Sequence, residues 1–449
     1  MEPYFDPEYE TRHHRINPPR VAIDNRSCPS STLVKVDSAN KNGILLEVVQ
    51  VLTDLDLSIS KAYISSDGGW FMDVFHVTDQ HGDKLKNEKF IEELQEHLQE
   101  QLSIATHGFR TSLGVQSTER HTTIELIGTD RPGLLSDIFA VLSTLRCNVE
   151  CAEVWTHNTR IACVLYITEG TTAAPIEDPG RLSSLKGQLC NVLRATDDRK
   201  GVKTDYASGL THMERRLHQM MFADRDYEGS EQALQPKPNG MCVTIENCSE
   251  KGYSIINLQC KDRPKLLFDI VCTLTDMEYV VYHASISVDR PYASQEYYIR
   301  HVDGCILDTE GEQQRVIKCI EAAIERRASQ GIRLELCMGD RVGLLSDVTR
   351  IFREYGLSVT RADVTTRGNK AMNTFYVTDT LGGPVDMKII ETIRKEIGQQ
   401  IIHVNDFPIG GCPSHAPELP SKFLISFRGL IKSQWERFSS HLGVVKSCS

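Results

Sequence analysis

The chain has 449 residues, a formal net charge of −11 and 25% charged residues, which is typical of an ordinary globular protein of about three or four domains. The negative charge disfavours binding to nucleic acids. No apolar stretch reaches about 18 residues and the start, MEPYFDPEYE, lacks a signal-peptide pattern, so neither a membrane span nor export is expected. The 14 scattered cysteines then indicate reduced thiols, and we expect a cytoplasmic location, with the nucleus as the alternative.

An internal repeat organises the chain. The stretch GTDRPGLLSD, from Gly128, returns as MGDRVGLLSD, from Met338, and looser copies surround Gly43 and Lys265. Further positions then align without insertion. We call Gly43, Gly133, Lys265 and Gly343 the loop residues of the four copies. Nineteen residues after each loop residue the chain has an alanine: Ala62, Ala152, Ala284 and Ala362. Four copies in one internal register indicate four copies of one structural unit.

Each copy predicts the same elements in the same order. A short run of alternating apolar residues predicts a strand, and apolar residues three and four apart after the loop predict a helix. Two β-rich runs and a second helix follow. This order predicts an α+β fold of four ferredoxin-like βαββαβ units, with antiparallel sheets covered by helices. QIIHV, at 400–404, is the candidate last strand of the fourth unit.

The spacing of the copies predicts how the units are grouped. Lys265 follows Gly133 by 132 residues, whereas the other neighbouring loops are 90 and 78 residues apart, so a connector separates two tandem, side-by-side pairs. The predicted segments are an N-terminal extension at 1–30, units at 31–105 and 121–195, a connector at 196–252, units at 253–329 and 331–405, and a tail at 406–449.

The repeated loop resembles that of the ACT domain, a regulatory module that binds amino acids, and four such units in tandem resemble the plant ACT-domain-repeat (ACR) family. The resemblance implies a small effector, usually an amino acid, bound near this loop and the interface between paired units. It implies no catalytic residue, metal or cofactor. The ligand-binding residues expected on this basis are Asn40, Asn42, Gly43, Ile44, Asp130, Arg131, Gly133, Leu134, Asp340, Arg341, Gly343 and Leu344.

The chemistry of the loop agrees with this expectation. A glycine lets a ligand approach the backbone, and the free N–H groups of a helix's first turn favour a carboxylate. Asn40, Asn42, Asp130 and Asp340 supply acceptors for an ammonium group. The alternative is structural: these side chains cap the helix, and the loop arginines pair with neighbouring carboxylates. Lys265 replaces glycine in the third unit, which is therefore expected to be the weakest site or a scaffold.

Two functions are therefore weighed: a non-enzymatic amino-acid sensor that relays binding to a protein partner, and a ligand-independent interaction scaffold. Glutamine is the first candidate ligand, because the resemblance extends to the ACT pair of the bacterial uridylyltransferase that senses glutamine; that enzyme's catalytic motifs are absent from the sequence. Near the end, Phe423, Phe427, Trp435 and Phe438 lie at helical spacing among basic residues. This segment predicts self-docking, self-association or a protein partner, with contact to a membrane surface less favoured.

Overall fold

The computed structural model describes residues 19–39, 42–67, 70–107, 121–194, 203–207, 212–228, 241–248, 250–327, 331–398 and 402–405. Within these ranges there are sixteen strands and nine α-helices. The strands are β1 (Arg20–Asp24), β2 (Thr32–Ala39), β3 (Ser58–Asp67), β4 (Trp70–Thr78), β5 (Thr122–Thr129), β6 (Cys147–His157), β7 (Arg160–Glu169), β8 (Lys203–Ala207), β9 (Cys242–Cys248), β10 (Tyr253–Lys261), β11 (Tyr279–Asp289), β12 (Tyr292–His301), β13 (Ile332–Gly339), β14 (Leu357–Arg367), β15 (Lys370–Asp379) and β16 (Ile402–Asn405). The helices are α1 (Ile44–Asp54), α2 (Glu88–His107), α3 (Leu134–Thr144), α4 (Pro179–Leu193), α5 (Met213–Ala223), α6 (Leu266–Asp276), α7 (Glu310–Arg327), α8 (Leu344–Glu354) and α9 (Met387–Ile397).

The predicted order of strand, helix, two strands and helix is confirmed in all four units. The units differ in the source of the outer strand that pairs with the first strand. In the second and fourth units it follows the unit, as β8 and β16, and β16 overlaps the predicted QIIHV segment at 402–404. In the first and third units it precedes the unit, as β1 and β9. The first strand needs an antiparallel neighbour, and a chain segment on either side can supply it.

The units pair in alternation along the chain. The first unit joins the third through β3 and β11, and the second joins the fourth through β6 and β14, which makes two eight-stranded sheets. The predicted side-by-side pairs are present, but their grouping as tandem neighbours is wrong. The recurring alanines lie on these seam strands: Ala284 is paired with Ile64, and Ala362 with Val154. Small buried side chains at this position suit close approach between the paired units.

The connector helix α5 lies between the two sheets. It packs on β6 and β7 of the second unit and on α6 of the third, and Leu217 and Met221 are fully buried against Trp155. Helix α7 of the third unit also packs on β6. The layers therefore follow the order sheet, helices, sheet, helices, with one large hydrophobic core on the helix side of each sheet and a smaller one under α5.

Candidate ligand sites at the paired loops

The first helix of every unit begins in the same way. Gly43, Gly133 and Gly343 precede it with φ of 88°, 80° and 85°, and Lys265 precedes it with φ of 64°. These left-handed values cost a residue other than glycine about 1–2 kcal/mol. Among the described residues, no side chain caps any of these four helices, whereas Asp386 caps α9. Their first turns therefore present backbone N–H groups that a ligand carboxylate can bind.

The loop of the fourth unit borders a cleft shared with the second unit. Asp340, Arg341, Gly343 and Leu344 line one side, and residues from the end of α3 and the start of β6 line the other, with a methyl carbon at Gly343 falling 3.0 Å from Ser143 Oγ. The free space is about 350 Å³ including the part open to solvent. About 20 Å³ of it admits the centre of a water molecule, so the cleft is wide enough for a water molecule and too narrow for an amino acid.

A buried amide faces this cleft. Asn373, on β15, lines it with only 2% of its surface exposed. Neither its side-chain nitrogen nor its side-chain oxygen has a hydrogen-bond partner among the residues that the structure describes. A buried group left in this state costs about 1–3 kcal/mol, so Asn373 is prepared to donate to and accept from a bound molecule.

The same register position is polar in two further units. Thirty residues after the loop residue the chain has Asp73, Cys163, Gln295 and Asn373, and each pairs with the corresponding residue of its first strand, for example Val36 with Asp73. Sequence reasoning missed this position, although the alignment of the four copies contained it. The signal was a polar residue inside an otherwise apolar strand face.

Asp73 is the carboxyl counterpart in the first unit. It is 1% exposed and accepts one long hydrogen bond, 3.4 Å from the backbone nitrogen of Ser65. Burial raises the pKa of Asp73 to about 8. On the neighbouring strand, Ser38 Oγ is buried and has no partner among the described residues. At the loop above, a methyl carbon added to Gly43 would meet nothing within 4 Å, so this loop is open on the described side.

The loop of the second unit is covered. A methyl carbon at Gly133 would lie 2.5 Å from Arg353 Cδ, and Arg353 Nη1 is 2.9 Å from Asp137 Oδ1. Burial raises the pKa of Asp130 to about 7. The equivalent of Asn373 is Cys163, which is fully buried. Arginine from the fourth unit thus occupies the space that a ligand would need at this loop.

The loop of the third unit packs against the connector helix. Lys265 Nζ is 2.7 Å from Glu214 Oε1 on the connector helix, and Arg327 Nη1 is 2.9 Å from the same oxygen. Those two cations hold the pKa of Glu214 below its usual range despite burial, which opposes them. The equivalent of Asn373 is Gln295, whose side-chain oxygen accepts a hydrogen bond from Tyr297 at 2.5 Å. The cationic side chain therefore binds the connector, and the buried amide oxygen has a partner.

The loop arginines pair with the first turn of their own helix. The guanidinium groups of Arg131, Arg263 and Arg341 lie 2.5–2.7 Å from carboxylate oxygens of Asp137, Asp269 and Asp347, respectively. These ion pairs are the structural alternative considered for the arginines, and they hold each loop against its helix. A ligand-binding role for Arg131 and Arg341 stays a prediction.

The relatives of this chain agree with the repeat. Residues 27–104 match the ACR family N-terminal ACT domain, and residues 332–395 match the ACT domain. The ACT domain-containing protein ACR3 of Arabidopsis thaliana is 59% identical over 416 residues, covering 89% of this chain and 90% of the relative. The chain belongs to the ACR family. ACR4 of the same plant is 52% identical and covers 99% of both chains.

Among solved structures, aspartate kinase from Synechocystis is 12% identical and covers 90% of this chain and 57% of that chain, with a TM-score of 0.16. A score this low adds nothing to the assignment. The repeated units are thus ACT domains of the ACR family, in an α+β fold with antiparallel sheets. Across the described ranges, no helix is long and apolar enough to cross a membrane.

The other predicted site residues of this ACR-family chain lie as follows. Asn40 is outside the described residues, and Asn42 is exposed beside Gly43. Ile44, Leu134 and Leu344 are 4%, 1% and 3% exposed, so their side chains belong to the cores and only their backbones can face a ligand. The structure brings Asp340, Arg341, Gly343 and Leu344 together at one cleft, and places the loops of the first and second units elsewhere.

Proposed function

We propose that this ACR-family chain is a non-enzymatic regulatory protein that binds a free amino acid between its fourth and second units and relays this to a protein partner. The observation that carries the proposal is the Asn373 amide, buried at the cleft with neither polar atom bonded among the described residues. Glutamine is the first candidate ligand. We place its action in the cytoplasm.

The lining of the cleft suits each part of such a ligand. The uncapped first turn of α8 offers backbone N–H groups to the α-carboxylate. Asp340 offers a carboxylate to the α-ammonium group. The Asn373 amide can donate to and accept from a side-chain carboxamide, which presents one acceptor and one donor of its own. This last match supports glutamine beside the resemblance to the glutamine-sensing ACT pair.

Binding is coupled to the packing of the two units. Because the cleft admits little more than water, a ligand must separate the loop of the fourth unit from α3 and β6 of the second. A ligand shifts such an equilibrium only by its preference for one state. Here the preference is strong, since the closed state has no room for the ligand. The opened pair is then the altered surface that a partner meets.

The affinity is expected to be modest. A ligand of about ten heavy atoms would need about 0.8 kcal/mol per atom to reach a micromolar dissociation constant. Part of that energy is spent on opening the pair. We therefore expect a dissociation constant in the high micromolar to millimolar range, which suits the sensing of a metabolite pool.

Thermal unfolding of the full chain, followed by calorimetry against each amino acid at about 10 mM, tests the proposal. A dissociation constant of about 0.1 mM would add about 2.7 kcal/mol to the free energy of unfolding. The shift with glutamine should disappear in Asn373→Leu and persist in Gln295→Leu, which alters the equivalent position of the third unit. A shift that survives Asn373→Leu contradicts binding at this cleft.

The second candidate function is a ligand-independent interaction scaffold. The observation in its favour is the third loop, where Lys265 binds Glu214 of the connector helix. There the ACT loop serves packing between units. If no amino acid changes the unfolding temperature of the folded chain, the scaffold is the better account, and partners should be sought directly.

A further inference from the structure

The buried residue thirty positions after each loop residue is a carboxyl group in the first unit, Asp73, and an amide in the fourth unit, Asn373. We propose that this position selects the ligand, so that the first unit binds an amino acid with a cationic side chain while the fourth binds one with a carboxamide. The inference rests on the proposed amino-acid function and extends it to a second site with a different ligand class.

The first unit holds a carboxyl group where the fourth holds an amide. Asp73 lies between Val36 on β2 and Ile64 on β3, on the sheet face covered by α1 and α2. Both flanking residues are apolar and buried. The long hydrogen bond from the backbone nitrogen of Ser65 is its one contact of this kind among the described residues, and it leaves most of the carboxyl acceptor capacity unused.

A cation would complete this site. A buried carboxylate without a counter-charge is costly, which is why burial raises the pKa of Asp73 to about 8. No charged group among the described residues offsets this rise. An ammonium or guanidinium group brought in by a ligand supplies that charge and several hydrogen-bond donors. Ser38 Oγ, buried on the next strand and unpartnered within the described ranges, can accept one of them.

Access to the first unit also differs from the closed units. At Gly43 the space beside the backbone is free of described atoms, whereas Arg353 covers Gly133 and Lys265 ties the third loop to Glu214. Each eight-stranded sheet therefore has one unit with an incompletely bonded polar group at this position and one unit whose loop is covered or tied by a cationic side chain. The units with the incompletely bonded group are the first and the fourth, and the side chains are Asp73 and Asn373.

Isothermal titration of the full chain with L-lysine, L-arginine and L-glutamine, with norleucine as the uncharged control, tests the inference. The unaltered chain should bind lysine or arginine at one site and glutamine at another, without competition. In Asp73→Asn, the cationic amino acid should bind at least about tenfold more weakly, the loss expected for one charged contact worth about 1.4 kcal/mol or more. Glutamine stoichiometry should rise from one to two per chain.

The reciprocal variant Asn373→Asp should lose glutamine and keep the cationic ligand, and each retained titration shows that the variant is folded. Cationic binding that is unchanged in Asp73→Asn would overturn the inference. So would glutamine binding that depends on Asn373 without any binding of lysine or arginine, in which case the proposed function still stands. If no amino acid binds at all, both the inference and the proposed function fail.

Discussion

At the scale of single residues, the loop residues share one backbone conformation but not one environment. No described atom would lie within 4 Å of a methyl carbon added at Gly43, whereas Gly133 lies under Arg353. Gly43→Ala should cost about 1–2 kcal/mol of unfolding free energy, from the left-handed backbone alone. Gly133→Ala should cost more, because the new methyl group displaces the Arg353 side chain from Asp137. Urea denaturation of the two variants measures this, and equal losses would contradict the covered loop.

The raised pKa of Asp73 predicts that the stability of the fold depends on pH. Its folded pKa of about 8 lies above its ordinary value of 3.8, so the folded chain holds a proton there that the unfolded chain releases. The contribution of Asp73 to the free energy of unfolding therefore falls as the pH rises from 3.8 to about 8, by up to about 1.4 kcal/mol per pH unit. Asp73→Asn removes the effect. The free energy of unfolding of Asp73→Asn, relative to that of the unaltered chain, should therefore increase between pH 5 and 7. A difference that does not change with pH would contradict a buried carboxyl group with a raised pKa.

The ion pair between Lys265 and Glu214 is expected to stabilise the third loop. Lys265→Met leaves Glu214 with one cationic partner fewer in a mostly buried place, which should cost about 1–3 kcal/mol of unfolding free energy. The control is Lys89→Met, because Lys89 and Glu93 form an exposed pair at 3.5 Å whose loss should cost under about 0.5 kcal/mol. If the two variants lose the same free energy of unfolding, the contact between Lys265 and Glu214 does not hold the third loop against the connector helix.

The candidate site was only partly predictable at this scale. Gly343 and Asp340 could be identified from the loop, because a repeated glycine before a helix reports backbone geometry directly. Asn373 could not be identified from its own surroundings, since a single polar residue in a strand is ordinary. Its meaning depends on having no hydrogen-bond partner among the described residues, and that is decided by packing across two units.

At the scale of elements, the first strands and both helices of each unit followed from periodicity, because one buried face imposes a regular apolar spacing. Among the outer strands, β16 was anticipated in QIIHV, but β1 and β8 were not. These two have five residues each, too few for a period, and their place is set by pairing with the first strand of a unit. The connector helix α5 packs on strands of the second unit and on a helix of the third, and this position between the sheets could not be predicted from its own sequence.

The packing of helix α5 between the sheets is expected to contribute to stability. Leu217 is a residue of α5 and is fully buried against β6 and β7, so Leu217→Ala should lower the free energy of unfolding by about 2–5 kcal/mol through lost burial and a cavity. The control is Leu381→Ala, because Leu381 is 94% exposed and its truncation should have little effect. Chemical denaturation compares the two. A small loss at Leu217 would mean that α5 contributes little to holding the second sheet against the third unit.

At the scale of the whole molecule, the alternating pairing of the units depends on contacts between distant parts of the chain. The seam strands carry alanine at the same position in all four units, so the sequence of the seam does not choose the partner. The choice depends on contacts far apart in the chain, such as those of α5 with β7 and α6. The connector length correctly indicated two pairs but could not show which units they join.

Binding of an amino acid where the fourth unit meets the second can be tested by hydrogen exchange of the full chain, measured by mass spectrometry with and without saturating glutamine. We expect changed exchange at 338–349 and at 142–149, two segments that are distant in sequence and share one cleft, with no change at 262–270 in the third unit. Glutamine that leaves both segments unchanged, or acts on the third loop instead, would contradict it.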